Sequence, residues 1–283
     1  MTMTELAKLA GVSQSTVSLV LNQREGRRIN SETEQRILEL ASQHHFRVNR
    51  AAVELRKRTS STIGVVMVTP HDPAYADKTA ILQDHLQQLG YRPVFSFYSS
   101  LDKLEYALEN ILSHQVDGII SWDYHPLLDK EKIPSVIYET IHPNYDAVCL
   151  DGKLYADHVI RLAREYHHRR IHYLGALNNS RVVELRKSAS EQNLDIEFTS
   201  VHFLPENAYS MMKELFSTGN PPSLILCNDY HALGVYSAAN DCGMRIPDDF
   251  SIIGIDNLTP PRFMHPPLTT FDLNIEDICG NLI

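Results

Sequence analysis

The residues best suited to chemistry in this chain lie in one short stretch near its N-terminus. The set combines short hydrogen-bonding side chains with one apolar side chain: Gln14, Ser15, Ser18 and Leu19. If the stretch is helical, Val17, Val20 and Leu21 fall at the i, i+3, i+4 spacing of an inward face, which leaves this set facing outward. Short polar groups at the exposed start of a helix can reach base edges in a major groove. The pattern predicts a surface that reads duplex DNA, with a plain helical hairpin as the alternative.

Two neighbouring helices would have to position that surface. The first helix has an apolar stripe that we expect to face inward: Leu6, Leu9 and Ala10. Gly11 can adopt the left-handed conformation that a sharp turn requires. Ser13 can then cap a second helix, which we expect to run from Gln14 to Asn22. A third helix can be capped by Asn30, or by Ser31 in a capping box with Glu34. Its predicted inner stripe is Ile37, Leu38, Leu40 and Ala41.

Charge is distributed unevenly along the chain. Residues 1–60 hold ten Lys or Arg against six Asp or Glu, whereas the net charge of all 283 residues is −9. Residues 61–283 therefore carry −13. A basic head on an acidic body is typical of a DNA-binding domain joined to a domain with another task. Chance clustering on an ordinary solvated surface is the alternative.

The remaining 220 or so residues alternate between apolar runs and helical patterns. Buried strands are predicted at 63–68, 93–98, 117–122, 134–139, 147–151, 171–176, 223–229 and 251–256. Helices are predicted at 81–89, 103–113, 155–166, 181–192, 208–217 and 231–242. Continuous apolar strands with helices between them indicate parallel sheets covered on both faces. We expect two Rossmann-like lobes in a periplasmic-binding-protein-like α/β core, with ligands at the carboxyl ends of the strands.

That rule selects polar residues at strand ends as ligand contacts. The candidates are His71, Asp72, Glu139, Asp151, Asn228, Asp229, Asp256 and Asn257, with Arg186 near the start of a following helix. Carboxylates and amides that line a cleft suit the hydroxyl groups of a sugar or nucleoside. Helix capping is the alternative, and we favour it for Asp151 and Asp229.

Several function classes lack their signatures. The chain contains no GxGxxG, P-loop, GxSxG or HExxH motif, so we expect no cofactor, catalytic set or metal site. Its four cysteines are far apart and form neither a CxxC pair nor a zinc spacing, as expected of reduced thiols. No apolar segment follows the N-terminus as in a signal peptide, and no apolar run could span a membrane. These features favour a cytoplasmic protein over a secreted sugar-binding protein or a metabolic enzyme.

An ordered set of segments resembles the LacI/GalR (lactose repressor) family of bacterial transcription regulators. The first is AGVSQSTVSLVLN at residues 10–22, and further matches are 29–47, 48–66, 168–175, 225–229, 247–257 and 266–270. The resemblance implies a small all-α helix-turn-helix headpiece (1–47), a hinge helix or linker (48–60) and a two-lobed effector-binding and dimerisation domain (61–283). Family members continue for several tens of residues, so the resemblance also implies a C-terminally short core. The implied function is a homodimeric repressor that binds an inverted-repeat operator under control of a small-molecule effector, or a regulator whose core binds a protein partner.

The resemblance also implies which residues contact DNA. They are Thr4, Gln14, Ser15, Thr16, Ser18, Leu19, Asn22, Arg24, Thr33, Asn49, Arg50, Ala52, Leu55 and Arg56. By the same resemblance, the hinge helix folds when it meets DNA and its counterpart from a second subunit, and Leu55 wedges between base pairs in the minor groove. Leu19 departs from the lactose repressor, which has an arginine there. The change implies a different operator, with a thymine methyl group facing Leu19.

Effector contacts follow from the same resemblance. Arg186, Asn228 and Asp256 match the effector-binding arginine, asparagine and aspartate of the family, and Glu139 falls where the lactose repressor has an aspartate. His71 has no counterpart in the family. An arginine that other members carry after the second core strand is replaced by Ser99 or Ser100. We therefore expect the effector to lack one anionic or hydroxyl contact.

Overall fold

The computed structural model describes residues 1–21, 29–46, 59–69, 71, 73–140, 142–177, 179–202 and 204–283. The chain divides into two compact units, Met1–Ser60 and Ser61–Ile283. We refer to the first as the headpiece and to the second as the core.

The headpiece contains three described helices, α1 (Met3–Ala10), α2 (Gln14–Leu21) and α3 (Ser31–Gln43). Gly11 ends α1 in the left-handed conformation at φ 66°, and its N–H donates to the carbonyls of the preceding turn. The Ser13 hydroxyl accepts from the Thr16 N–H at 3.2 Å and caps α2. Asn30, rather than Ser31, caps α3, because its side chain accepts from the Glu32 N–H at 3.1 Å. The predicted turn and the Ser13 and Asn30 caps are thus confirmed, whereas the alternative cap at Ser31 is wrong.

A small apolar cluster holds the three helices together. Its buried members are Leu6, Ala7, Ala10, Val17, Val20, Ile37 and Ala41. Two expected members are instead exposed, Leu9 at 57% and Leu38 at 48%. Each helical residue advances the face by about 100°. The buried face of α1 is therefore centred between Leu6 and Ala7, which turns Leu9 toward water.

The core contains two five-stranded sheets, and all strand pairs in them are parallel. The first lobe has the strand order β2-β1-β3-β4-β5 and the second β10-β9-β8-β6-β7. The strands of the first lobe are β1 (Thr62–Val68), β2 (Arg92–Tyr98), β3 (Gly118–Ser121), β4 (Ser135–Tyr138) and β5 (Asp146–Val148). Those of the second are β6 (Ile171–Gly175), β7 (Ile196–Ser200), β8 (Leu224–Cys227), β9 (Ser251–Ile255) and β10 (Thr269–Phe271). All eight strands predicted from apolar runs are confirmed. β7 was not predicted, and β10 overlaps residues 266–270, which only the family resemblance marks.

Helices cover the sheets. They are α4 (Pro73–Gln88), α5 (Leu104–Leu112), α6 (Leu127–Lys130), α7 (Gly152–Glu165), α8 (Ser180–Glu191), α9 (Pro205–Ser217), α10 (Asp229–Asp241) and α11 (Ile275–Asn281). The predicted helices correspond to α4, α5, α7, α8, α9 and α10. The observed α4 begins eight residues earlier than predicted, at Pro73.

The chain crosses between the lobes twice in the described region. After β5 it enters the second lobe, and after β10 it returns as α11, which packs against α4. Ile278, Cys279 and Leu282 join the buried cluster of the first lobe. Residues at the carboxyl ends of β1, β3 and β4 of the first lobe and of β6 of the second line one cavity, so a cleft lies between the lobes.

The described helices include none with both the length and the apolar character needed to cross a bilayer. Within the same residues, no group of three or more His, Cys, Asp and Glu side chains is arranged to hold a metal ion.

Candidate DNA-binding surface and effector cavity

The outward face of α2 presents the residues expected to read DNA. Gln14 and Ser15 are exposed, while Thr16, Ser18 and Leu19 are half-buried. The hydroxyl oxygens of Ser15 and Thr16 lie 2.7 and 2.8 Å from the Ser13 hydroxyl. This bonding fixes hydroxyl groups at the start of the helix, where base and phosphate contacts are made in helix-turn-helix proteins.

The structure describes only two of the other residues expected to contact DNA. Thr4 on α1 is exposed, and Thr33 in the first turn of α3 is half-buried. Seven expected contacts lie outside the described residues: Asn22, Arg24, Asn49, Arg50, Ala52, Leu55 and Arg56.

A cavity of about 210 Å³ lies in the cleft of the core, at the carboxyl ends of the first-lobe strands. Residues from both lobes line it: Val68, Tyr75, Tyr98, Ser99, Ser100, Leu101, Trp122, Asp123, Tyr138, Glu139, Thr140, Ala176 and Asn179. Parallel sheets bring strand ends together at this edge, so the location agrees with the sequence-based expectation.

Aromatic rings form one wall of this cavity. The Trp122 ring lies 4.8 Å from the Tyr138 ring and 6.4 Å from the Tyr75 ring, measured between centroids. The Tyr98 hydroxyl donates to the Asp123 carboxylate. Burial, together with the Asp123 charge, raises the pKa of Tyr98, so its hydroxyl remains a neutral donor.

An ion pair joins the two lobes at the cavity. The Arg181 guanidinium on α8 donates to Glu139 at 3.1 Å, and the two side chains are 15% and 18% exposed. Burial opposes the Arg181 charge, but the Glu139 and Asp256 carboxylates outweigh it and raise the Arg181 pKa. Glu139 adopts a φ of 58°, which is uncommon for a residue with a side chain. A strained backbone that aims a carboxylate into a cleft is typical of a functional site.

Arg186 and His71 do not line this cavity. The Arg186 guanidinium is exposed and stacks 3.9 Å from the centroid of the Phe198 ring. His71 is exposed, and its backbone N–H donates to the Thr69 carbonyl. The arginine that the structure brings to the cleft is Arg181, which the sequence pattern did not single out. The effector roles expected for Arg186 and His71 stay predictions.

The expected second-lobe contacts Asn228 and Asp256 do not line the cavity. Asn228 caps α10 through a 2.8 Å bond from the His231 N–H. Asp256 is half-buried at φ 110° and lines a separate depression of about 380 Å³, together with other acidic and amide side chains. Asp256 remains electrostatically coupled to the cleft through Arg181.

The capping role expected for Asp151 is confirmed, and that expected for Asp229 is wrong. Asp151 accepts from the Leu154 N–H at 2.8 Å at the start of α7. Asp229 is fully buried and accepts from the Leu258 N–H at 2.8 Å and from the Thr270 hydroxyl at 2.5 Å. It ties the loop after β9 to β10, because Asn228 already occupies the capping position.

Comparison with known proteins decides the family. Residues 2–49 match the family described as bacterial regulatory proteins, lacI family, and residues 156–283 match the periplasmic binding protein-like domain. The chain is 31% identical to the HTH-type transcriptional repressor PurR of Mannheimia succiniciproducens, over 95% of this chain and 86% of that protein. It is 32% identical to the repressor of the same name from Haemophilus influenzae, over 95% and 85%.

The chain belongs to the LacI family. Its fold is also that of solved family structures. The lac repressor bound to ONPG in the repressed state gives a TM-score of 0.85 at 21% identity, covering 99% of this chain and 90% of that one. The lac repressor dimer bound to operator and the anti-inducer ONPF gives 0.85 at 22%, with the same coverage. Membership in the LacI family makes the chain a DNA-binding regulator of transcription and not an enzyme.

Proposed function

We propose that this LacI-family chain is a cytoplasmic repressor that binds an inverted-repeat operator as a homodimer and responds to a small molecule of the sugar or nucleoside class. The headpiece reads one half-site through the outward face of α2, so two headpieces match the two-fold symmetry of the repeat. The relatives named as repressors support the direction of regulation.

The observation that carries the effector assignment is the bridged cavity. It is about 210 Å³ in volume, and it lies beside the ion pair between Glu139 of the first lobe and Arg181 of the second. A ligand that contacts residues of both lobes binds one lobe arrangement better than another, and it shifts the population toward that arrangement. A coupling of about 1–3 kcal/mol between ligand and DNA is sufficient for regulation.

The proposal also assigns a role to the hinge, which links the state of the core to DNA binding. Residues 49–58 lie outside the described residues. By resemblance to the LacI family, we expect this segment to form a helix only on operator DNA, paired with the same segment of a second subunit. A short helix is marginal alone, so a small change in the core can decide whether it forms. Leu55 then wedges into the minor groove, and the cost of unstacking is offset by the contacts that bent DNA allows.

Selection from a pool of random duplexes tests the DNA half of the proposal. We expect the enriched sequences to be inverted repeats, bound about 1,000-fold or more tightly than random duplex at moderate salt, as measured by fluorescence anisotropy. Equal affinity for enriched and random duplexes would contradict the proposal.

Leu55→Ala is the matched variant, because it leaves every Lys and Arg in place. We expect it to weaken operator binding far more than non-specific binding, and equal losses on both DNAs would remove the wedge.

A titration of the operator complex tests the effector half. Sugars and nucleosides that raise the melting temperature of the core are expected to change operator affinity by about 5–150-fold. A ligand that stabilises the core and leaves operator affinity unchanged at saturation contradicts effector control.

A further inference from the structure

The first residue of the core has an unusual backbone conformation. The division between headpiece and core falls between Ser60 and Ser61, and Ser61 adopts a φ of 48°. Eight described residues other than glycine have a positive φ, and six of them are Asn, Asp or His, the types that tolerate it best. The other two are Glu139, at the cleft, and Ser61. A left-handed serine at a domain boundary persists only where its surroundings hold it.

Three hydrogen bonds hold the chain where it enters β1. The Ser61 N–H donates to the Asp117 carboxylate at 2.7 Å, and the Ser61 carbonyl accepts from the Arg92 N–H at 2.7 Å. The Asp117 N–H donates in turn to the Thr62 carbonyl at 2.8 Å. Arg92 begins β2, Asp117 directly precedes β3, and β1 lies between these strands in the sheet. The bonds therefore fasten the start of β1 from both sides.

The bond to Asp117 differs from the other two because a side chain makes it. Backbone bonds between neighbouring strands form along any parallel sheet, and they require no left-handed residue before a strand. Asp117 is half-buried, and its carboxylate takes the Ser61 N–H in place of a backbone carbonyl. A carboxylate acceptor makes a stronger hydrogen bond than a neutral one. This side chain therefore sets the direction in which the chain enters the core.

We propose that Asp117 is a positioning residue for operator recognition. By holding Ser61, it fixes the direction in which the hinge joins the core, and it thereby restricts the spacing of half-sites that the two headpieces of a dimer occupy together. A connection free to turn at Ser61 would reach several spacings, whereas a fixed connection matches few. The inference rests on the proposed dimeric repressor and adds to it a residue that acts through the hinge rather than by touching DNA.

The test compares two operators that differ in the spacing of their half-sites. One is the inverted repeat selected with the unaltered chain. The other has one extra base pair at its centre, which rotates a half-site by about 35° and moves it by about 3.4 Å. By fluorescence anisotropy, we expect the unaltered chain to prefer the selected spacing about 100-fold. We expect Asp117→Ala to reduce this preference about tenfold, the effect of one lost hydrogen bond to a charged group.

Two variants with the same change in charge separate the bond from electrostatics. Asp146→Ala removes an exposed carboxylate at the start of β5 in the same lobe, and it is expected to keep the spacing preference. Asp117→Asn removes the charge but retains a side-chain oxygen that can accept from Ser61, so it is expected to restore most of the preference. Because the preference is a ratio of two affinities of the same protein, a partial loss of folded protein cancels from it.

Ser61→Pro gives a second route to the same result. It leaves Asp117 in place, removes the N–H donor and excludes a positive φ. We expect the same loss of spacing preference as in Asp117→Ala, and the double variant is expected to lose no more than either single variant, because both remove one bond. If Asp117→Ala does not fold, the comparison of Ser61→Pro with Asp146→Ala decides.

Three results would overturn the inference. Full spacing preference in Asp117→Ala or in Ser61→Pro refutes the positioning role. An equal loss in Asp146→Ala assigns the effect to charge. An unaltered chain that binds both spacings equally shows that no direction is fixed. In each case the selected inverted repeat still stands, so only this inference fails. If the unaltered chain selects no inverted repeat, the proposed function fails together with it.

Discussion

The headpiece and the core differ in the sign of their net charge and in the size of their buried apolar clusters. The headpiece carries a net charge of +4, and its described residues bury one small cluster of side chains, all of them from three short helices. The core carries −13 and buries three larger clusters across its two sheets. Small units bury a smaller fraction of their surface and are marginally stable. We therefore expect DNA affinity to depend on the less stable unit, the headpiece. The proposed ligand binding depends on the more stable unit, the core.

Matched truncations in the two units give the largest expected effect. Leu6 of the headpiece and Leu226 of the core are both fully buried, and Leu→Ala at either costs about 3–5 kcal/mol. We expect Leu6→Ala to unfold the headpiece and abolish operator binding, with the core melting temperature and ligand affinity unchanged. Calorimetry of the full chain and DNA anisotropy check this, and Leu9→Ala, at an exposed position, is the control. A Leu6→Ala chain that binds operator normally would break the comparison.

The two arginines of α8 give the next largest effect. Arg181→Ala leaves Glu139 largely buried without its partner, and we expect it to lower core stability by about 2–3 kcal/mol and to abolish the ligand response. Arg186→Ala loses only the stacking on Phe198, worth about 0.5–1 kcal/mol at an exposed site. Urea unfolding and a ligand titration of the operator complex distinguish the two. If Arg186→Ala loses the ligand response and Arg181→Ala keeps it, the family match at Arg186 is right and the cavity assignment is wrong.

Acidification separates the two units by the pH range in which their buried or bonded groups titrate. Burial lowers the pKa of His172 and His231 in the core below the ordinary value of about 6.5. The stability that they contribute is complete above that value and is lost as the pH falls through their folded-state pKa values. In the headpiece, a bond to the Thr2 backbone lowers the pKa of Glu5 below 4.5, so its contribution is lost only at lower pH.

We therefore expect the melting temperature of the core to fall more than that of the headpiece between pH 7.5 and 5.5. Differential scanning calorimetry at several pH values measures both transitions. His231→Gln is expected to reduce the slope for the core. An unchanged slope in that variant would assign the pH dependence to other groups.

Helix caps give the smallest effect and the finest test of the comparison. Asn30 caps α3 in the headpiece, and Asp151 caps α7 in the core, each through one side-chain bond to a backbone N–H. Replacing either with Ala costs about 1 kcal/mol. We expect Asn30→Ala to weaken operator binding measurably and Asp151→Ala to leave operator binding unchanged in the absence of ligand. Equal effects on operator affinity would mean that the two units share one cooperative transition.

The sequence predicts most of this fold because buried parallel strands are continuous apolar runs. The two strands that no apolar run marks are β7 and β10, which lie at the edges of the second sheet. Their residues are half-buried or exposed, as in IEFTS and TTF, so no apolar run marks them. Edge strands pack on fewer neighbours, and their composition is correspondingly mixed.

The candidate site was predicted in location more accurately than in detail. The strand-end rule leads to Glu139 and to the cleft, whereas a motif match selected Arg186 over Arg181. Five residues along a helix correspond to about 500°, so the two arginines point in directions about 140° apart. Only the phase of α8, set by its cap at Asn179, decides which one faces the cleft. Trp122 also lines the cavity directly after β3, but the strand-end rule predicts ligand contacts from carboxylates, amides and bases and therefore does not select an aromatic residue.

The return of α11 to the first lobe has a consequence for biosynthesis. The second lobe is formed by one continuous segment, from α7 to β10, and can fold as soon as that segment has left the ribosome. The first lobe begins emerging earlier but waits for Ile278, Cys279 and Leu282 to complete its apolar cluster. During translation, the lobe of the core that is synthesised first is thus completed after the other lobe, and its unfilled face is exposed to chaperones throughout that interval.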